Sequence, residues 1–118
     1  MEFQNGKSIF LQIADSITDK VVSGEFAAGE KIPSVRELAS QMGVNPNTIM
    51  RTYSELQAMS IIENHRGIGY FVSDQAQKIV LQGKKEEFFN KILPDFLRQA
   101  ELIGITSNEL KKHLETLN

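Results

Sequence analysis

Residues 32–72 read IPSVRELASQMGVNPNTIMRTYSELQAMSIIENHRGIGYFV and decide the fold of this chain. The stretch contains two signals for the start of a helix, with a glycine between them and a glycine-bearing hairpin after them. This order predicts a short helix, a tight turn, a second helix and a β-hairpin.

The two predicted helices each begin at a residue suited to capping. Ser34 and Glu37 have the spacing of a capping box, in which each side chain bonds a backbone amide at the helix start. Gly43 is placed to end this helix in the left-handed conformation. Asn45 then caps the second helix, with Pro46 at its first position, where the missing N–H costs nothing. Two capped helices with so short a connection predict a helix-turn-helix.

The second predicted helix has one apolar and one polar face. The large apolar side chains that share a face are Ile49, Tyr53 and Leu56. The opposite face is polar and mostly small, and it carries Asn47, Arg51, Ser54 and Ala58. A polar face of this kind suits a nucleic-acid groove, although a merely solvated face looks similar and usually carries more charge. We favour the groove because of the surrounding order of elements.

A β-hairpin is predicted from residues 61–63 and 70–72, joined by a loop with two glycines. Arg66 and Gly67 lie at its tip, where an arginine beside an open backbone is placed to contact a phosphate or a minor groove. A hairpin by itself more often has a structural role. Together with the two helices, it predicts a mainly α fold with a small β-hairpin wing, a winged helix-turn-helix.

The flanking segments are predicted to be helical. Residues 9–22 form an amphipathic helix that we expect to pack in the core. From Asp74 onward the chain is again predicted to be helical, with Pro94 marking a bend or a break. A broad apolar stripe in this tail suggests a dimer interface formed by Phe88, Phe89, Ile92, Leu93, Phe96, Leu97, Leu110 and Leu114. We therefore expect two parts, a DNA-binding domain over 1–73 and a dimerisation tail over 74–118.

Composition excludes several classes of function. The 118 residues include no cysteine, and the two histidines, His65 and His113, have no metal-ligand spacing, so we expect neither a metal nor a cofactor. No nucleophile arrangement or phosphate loop is visible, which argues against an enzyme. No apolar run is long enough to span a bilayer, and a soluble, cytoplasmic protein is expected. The net charge of −2 is low for a protein that binds DNA.

The motifs GEKIPSVRELA, GVNPNTIMRTYSEL and RGIGYFV together resemble the winged helix-turn-helix domain of the GntR family of transcription regulators. The GVNPNT segment and the short helical tail are most similar to the YtrA-like subfamily, in which the tail serves dimerisation. Residues 9–72 resemble the family through these motifs, and the rest of the chain resembles the subfamily through the length and predicted helical structure of its tail. It implies a transcription regulator, often of a neighbouring transporter operon.

The resemblance also implies roles for particular residues. Arg36 matches a family arginine that contacts DNA, and the second helix contributes Asn45, Asn47, Thr48 and Arg51. By chemistry, Arg51 suits a guanine edge, Asn47 suits adenine, and Thr48 suits a phosphate. The wing tip contributes Arg66 and Gly67.

The sequence departs from the family pattern in having few basic residues on the second helix. Many family members have a second basic residue within this helix, whereas Pro46 and Met50 occupy neighbouring positions here, so a single domain should bind weakly. We therefore expect a homodimeric repressor on a palindromic operator. The alternative is a winged-helix adaptor that binds another protein through its apolar tail. A small-molecule effector stays open, with Phe88, Phe89 and Phe96 as candidate lining residues.

Overall fold

The computed structural model describes residues 8–117 and contains mostly helices. Within this range the elements, in chain order, are α1 (Ile9–Ser23), α2 (Val35–Met42), α3 (Pro46–Ala58), β1 (Ile62–His65), β2 (Gly69–Val72), α4 (Ala76–Glu87), a π-helical segment (Phe88–Ile92), α5 (Leu93–Leu102) and α6 (Ser107–Leu114). The predicted fold class, mainly α with a β-hairpin wing, is confirmed.

The helix boundaries follow the local capping signals. The Ser34 hydroxyl accepts from the Glu37 amide at 3.1 Å, and a Glu37 carboxylate oxygen accepts from the Ser34 amide at 3.1 Å. Gly43 follows α2 in the left-handed conformation, with φ of 68°. The Asn45 side chain caps α3 and Pro46 occupies its first turn. The predicted helix-turn-helix is therefore formed as the sequence indicates.

The hairpin is slightly longer than predicted. Its antiparallel strands pair from Ile62↔Val72 to His65↔Gly69, so pairing extends almost to the tip. Lys31 adds an isolated antiparallel bridge to Phe71, and the Ile32 amide donates to the Tyr70 carbonyl at 3.0 Å. The extended segment before α2 thus covers the open edge of β2.

The chain divides into two compact units, with the boundary between Gln82 and Gly83 inside α4. In the first unit, α1 and α2 both pack on α3, and α3 also contacts β1 of the hairpin. Its buried hydrophobic core contains Ile13, Ile17, Val21, Ile32, Leu38, Ala39, Ile49, Tyr53, Leu56, Ile61, Ile62, Val72, Ala76 and Val80. This core holds α3 with its polar face outward.

The second unit has little interior of its own. Among its described residues, Ala100 is the one buried hydrophobic side chain. Thr106 and Glu109 form the predicted capping box at the start of α6. The interruption predicted at Pro94 is observed as the π-helical segment just before it. The Leu93 amide there donates to the Phe88 carbonyl, and this widened turn accommodates a proline that has no N–H to donate.

Candidate nucleic-acid interface

The start of α3 is held by its own cap. The Asn45 side-chain oxygen accepts from the Asn47 amide at 2.8 Å, and the Thr48 amide donates to the Asn45 carbonyl at 2.9 Å. The side chains of Asn45 and Asn47 are both exposed. The side-chain oxygen of Asn45 is thus used to cap the helix, whereas the side chain of Asn47, two residues further on, is exposed to solvent.

Two hydrogen-bonding side chains fix α3 to the surrounding structure. The buried Tyr53 hydroxyl donates to the Pro33 carbonyl at 2.6 Å, and its ring packs edge-on against Tyr70 at 4.8 Å. Burial raises the pKa of the Tyr53 hydroxyl, so it stays a donor. Thr52 is fully buried, and its hydroxyl lies 2.9 Å from the Thr48 carbonyl of α3 and 3.5 Å from the Phe10 carbonyl of α1. These contacts hold α3 in place from its buried side.

Arg51 has a partner that the sequence did not suggest. Its guanidinium lies 4.1 Å from the centre of the Phe10 ring, in the first turn of α1. An open groove of about 350 Å³ lies at this point, lined by Ser8, Ile9, Phe10, Asn47, Thr48 and Arg51. Three of the predicted DNA-contacting residues therefore line one groove: Asn47, Thr48 and Arg51.

Arg36 lies on the exposed side of the first turn of α2, outside this groove. The capping hydrogen bonds to Ser34, with Lys31 nearby, lower the pKa of the neighbouring Glu37 carboxyl. Glu37 is therefore ionised at neutral pH and remains occupied with the helix start. Arg36 is left as the cation that α2 presents to solvent.

The wing carries Arg66 and Gly67 at an exposed tip, and Gly67 has φ of 80°, a value that glycine tolerates best. Below the tip, His65 stacks on Phe71 at 4.5 Å between ring centres and contacts the Glu63 carboxylate at 3.0 Å. These contacts hold His65 along the strand. The wing tip therefore presents a single arginine beside an open backbone.

Lys31 is a second residue that the sequence did not single out. A Cβ placed on Gly69 would lie 2.8 Å from the Lys31 Cε, so the lysine side chain crosses the hairpin directly over this glycine. The sequence alone could not predict this contact, because Lys31 and Gly69 are far apart in the chain. Lys31 adds a cation beside the wing.

The tail exposes most of the residues predicted for dimerisation. The exposed members are Phe88, Phe89, Ile92, Phe96, Leu97 and Leu114, with Phe89 61% exposed and Leu114 60% exposed. Leu93 and Leu110 are half-buried. Contact between two copies stays a prediction.

Among residues 8–117 no group of three or more histidine, aspartate or glutamate side chains is arranged to hold a metal ion. Over the same range, every helix is too short or too polar to cross a bilayer.

A helix-turn-helix whose second helix presents a polar face, followed by a glycine-tipped hairpin, defines a winged helix-turn-helix domain, a class that binds DNA. The chain belongs to the GntR family of bacterial regulatory proteins, whose family model matches residues 10–72. The members of this family are DNA-binding transcription regulators rather than enzymes.

Two relatives and one solved structure resemble nearly the whole chain. The HTH-type transcriptional regulator YhcF of Bacillus subtilis is 41% identical over 115 residues, which is 98% of this chain and 93% of YhcF. The HTH-type transcriptional repressor YtrA of the same organism is 31% identical over 110 residues, covering 93% of this chain and 84% of YtrA. A crystal structure of a GntR-family regulator from Bacteroides thetaiotaomicron has a TM-score of 0.79 at 39% identity, covering 92% of this chain and 95% of that one. The YtrA-like subfamily is thus supported over the tail as well as the winged domain.

Proposed function

We propose that this chain is a homodimeric transcriptional repressor that binds a palindromic operator in the cytoplasm. The observation that carries the proposal is the apolar surface of the second unit, where six large hydrophobic side chains from the predicted interface are exposed. An apolar surface of this kind on so small a unit is typical of a protein interface. A second copy covers this surface most simply, because both copies offer the same apolar face.

The scarcity of cations supports the same proposal. The lysines and arginines of residues 31–73 are Lys31, Arg36, Arg51 and Arg66, on a chain whose net charge is −2. Phosphate contacts supply much of the affinity of a DNA-binding protein. Two copies on two half-sites double the contacts of one copy. The dimer therefore compensates for a weak electrostatic surface.

The proposed roles divide between reading and positioning. Asn47 and Arg51 read base edges in the major groove, with Arg51 on a guanine. Arg36 and Thr48 contact phosphates, and Arg66 with Gly67 contacts DNA through the wing. Repression rests on the likeness to YtrA, and a transporter operon is the target that the subfamily resemblance implies.

Selection of bound sequences from random DNA tests the palindrome, and sedimentation at micromolar concentration tests the dimer. We expect two inverted half-sites about one helical turn apart or a multiple of it. Arg51→Ala should abolish the preference at one base pair of each half-site, whereas Arg98→Ala, an arginine on α5, should leave the selected sequence unchanged. An asymmetric site read by a monomer would refute the proposal.

Phe89→Asp tests the interface itself. A carboxylate on this exposed ring should convert the dimer to a monomer, because dimerisation would bury the charge. Ile68→Asp places the same charge on an exposed residue of the wing and should leave the dimer intact. A wild-type chain that is monomeric until it meets another protein would favour the adaptor.

The salt dependence of operator binding counts the copies on DNA. Each phosphate contact contributes about 0.9 to the slope of log affinity against log salt concentration. Arg36→Ala should therefore reduce the slope by about 1.8 if two copies bind and by about 0.9 if one copy binds. An unchanged slope would remove Arg36 from the proposed interface.

A further inference from the structure

The cation–π contact between Arg51 and Phe10 joins two elements that are distant in the sequence. Phe10 lies in the first turn of α1, which packs on α3, and its ring is half-buried. The 4.1 Å separation between the guanidinium carbon and the ring centre is close to direct contact. An aromatic ring from the core helix therefore supports the long side chain of Arg51.

Both partners in this contact are held in place. The Ser8 hydroxyl caps α1 by accepting from the Leu11 amide at 3.3 Å, which orders the turn that carries Phe10. From the other side, the buried Thr52 hydroxyl bonds the Thr48 carbonyl at 2.9 Å and reaches the Phe10 carbonyl at 3.5 Å. The residue after Arg51 is thus tied to the backbone of Phe10. This arrangement fixes the distance between the ring and the arginine.

The geometry of the contact leaves Arg51 able to bind DNA. The N–H donors of a guanidinium lie in the plane of the group, at its edges. The N–H groups at these edges are the ones that donate to O6 and N7 of a guanine. A phenyl ring has no acceptor with which to compete for these donors. The contact with Phe10 therefore supports Arg51 without forming a conventional hydrogen bond.

We infer that Phe10 is a positioning residue for base reading, because it holds the Arg51 guanidinium in the orientation that recognises guanine. The inference rests on the proposed role of Arg51 and assigns a specificity function to a residue of α1. A free arginine loses much rotamer freedom when it binds, and support from the ring reduces that loss. Removal of the ring should therefore weaken specific binding about three- to tenfold.

The experiment compares operator binding by wild type, Phe10→Leu, Phe10→Tyr and Arg51→Ala, together with the Phe10→Leu/Arg51→Ala double variant. Phe10→Leu keeps the buried apolar contact and removes the aromatic face, whereas Phe10→Tyr retains it. Leu11→Met is the matched control, because this neighbour is exposed on the same turn and does not line the groove that contains Arg51. Each protein is titrated with the selected operator and with an operator altered at the base pair that Arg51→Ala ceases to recognise.

We expect Phe10→Leu to lose about three- to tenfold in affinity for the selected operator and much less for the altered one. Phe10→Tyr and Leu11→Met should bind like wild type. In the Arg51→Ala background, Phe10→Leu should have no further effect. A purely structural role for Phe10 would instead weaken both operators equally, in either background, and that result would overturn the inference.

The outcomes separate this inference from the proposed function. If wild type selects no palindrome, the proposed function fails before Phe10 is tested. If wild type binds and Arg51→Ala loses base preference while Phe10→Leu retains it, only the role of Phe10 is refuted. If Phe10→Leu folds poorly, two measurements still decide between a positioning role and a purely structural role of Phe10. One is wild-type operator binding by Phe10→Tyr. The other is the comparison of the single and double variants on both operators at low temperature.

Discussion

Replacement of Tyr53 by phenylalanine removes one hydrogen bond from the interior of the winged domain. The Tyr53 side chain is 1% exposed, and its hydroxyl donates to the Pro33 carbonyl at 2.6 Å. A net intramolecular hydrogen bond contributes about 1 kcal/mol, and a carbonyl left without its donor adds a further cost. We expect Tyr53→Phe to lower the free energy of unfolding by about 1–2 kcal/mol. Urea denaturation measures this loss as a lower midpoint at an unchanged slope.

The pH dependence of the same variant gives a second measurement. Burial raises the pKa of Tyr53 in the folded state, so the unfolded chain loses this proton first as the pH rises. The stabilisation is therefore complete below about pH 10 and declines above it, by up to about 1.4 kcal/mol per pH unit. The difference in stability between wild type and Tyr53→Phe should narrow between pH 9 and pH 11.

Tyr70→Phe is the matched control, because it makes the same chemical change in the ring that packs edge-on against Tyr53. Tyr70 is only half-buried, and we expect its variant to change stability by less than about 0.5 kcal/mol. Equal losses for the two variants would refute the reasoning. So would a difference between wild type and Tyr53→Phe that stays constant up to pH 11.

Two glycine substitutions should have opposite effects on stability. Gly69→Ala should lower the free energy of unfolding by about 1–3 kcal/mol, because φ is 138° and the new Cβ would lie 2.8 Å from Lys31 Cε. Combining Gly69→Ala with Lys31→Ala should recover the part of the stability loss that comes from the clash with the lysine. Full recovery would show that the positive φ of residue 69 causes no strain and would contradict this prediction. Gly83→Ala should raise the free energy of unfolding by about 0.5–1 kcal/mol, because this glycine lies within α4 with nothing near its Cβ position. Thermal unfolding measures both, and a destabilised Gly83→Ala would show an unrecognised close contact.

The sequence predicted those features that depend on neighbouring residues. The caps at Ser34, Gly43 and Asn45 are formed as expected, because each acts within four positions along the chain. The hairpin was also predicted, although its pairing extends to His65 and Gly69, beyond the expected strands. Local hydrogen-bonding rules were sufficient for the order and type of these elements.

Contacts between distant residues were not accessible in this way. Phe10 and Arg51 belong to different helices, and their stacking depends on how α1 packs against α3. Lys31 reaches Gly69 only because the segment before α2 pairs with the hairpin. Thr52 is buried among apolar residues because its hydroxyl bonds back to a carbonyl of its own helix. Tertiary packing, rather than residue type, decides these positions.

The π-helical segment has a consequence for how the tail tolerates changes in chain length. In this segment and the α5 helix after it, apolar side chains recur every four residues, as in Phe88, Ile92 and Phe96. In an α-helix such a row drifts by about 40° at each step. The wider π-helical turn drifts the opposite way, so the row stays nearly straight from Phe88 through Phe96. Deleting one residue within this segment would restore a regular helix and leave the later side chains close to their present direction, because the π-helical turn holds one residue more than an α-helical turn. This part of the chain can therefore lose one residue without turning its apolar surface away, whereas a regular helix cannot.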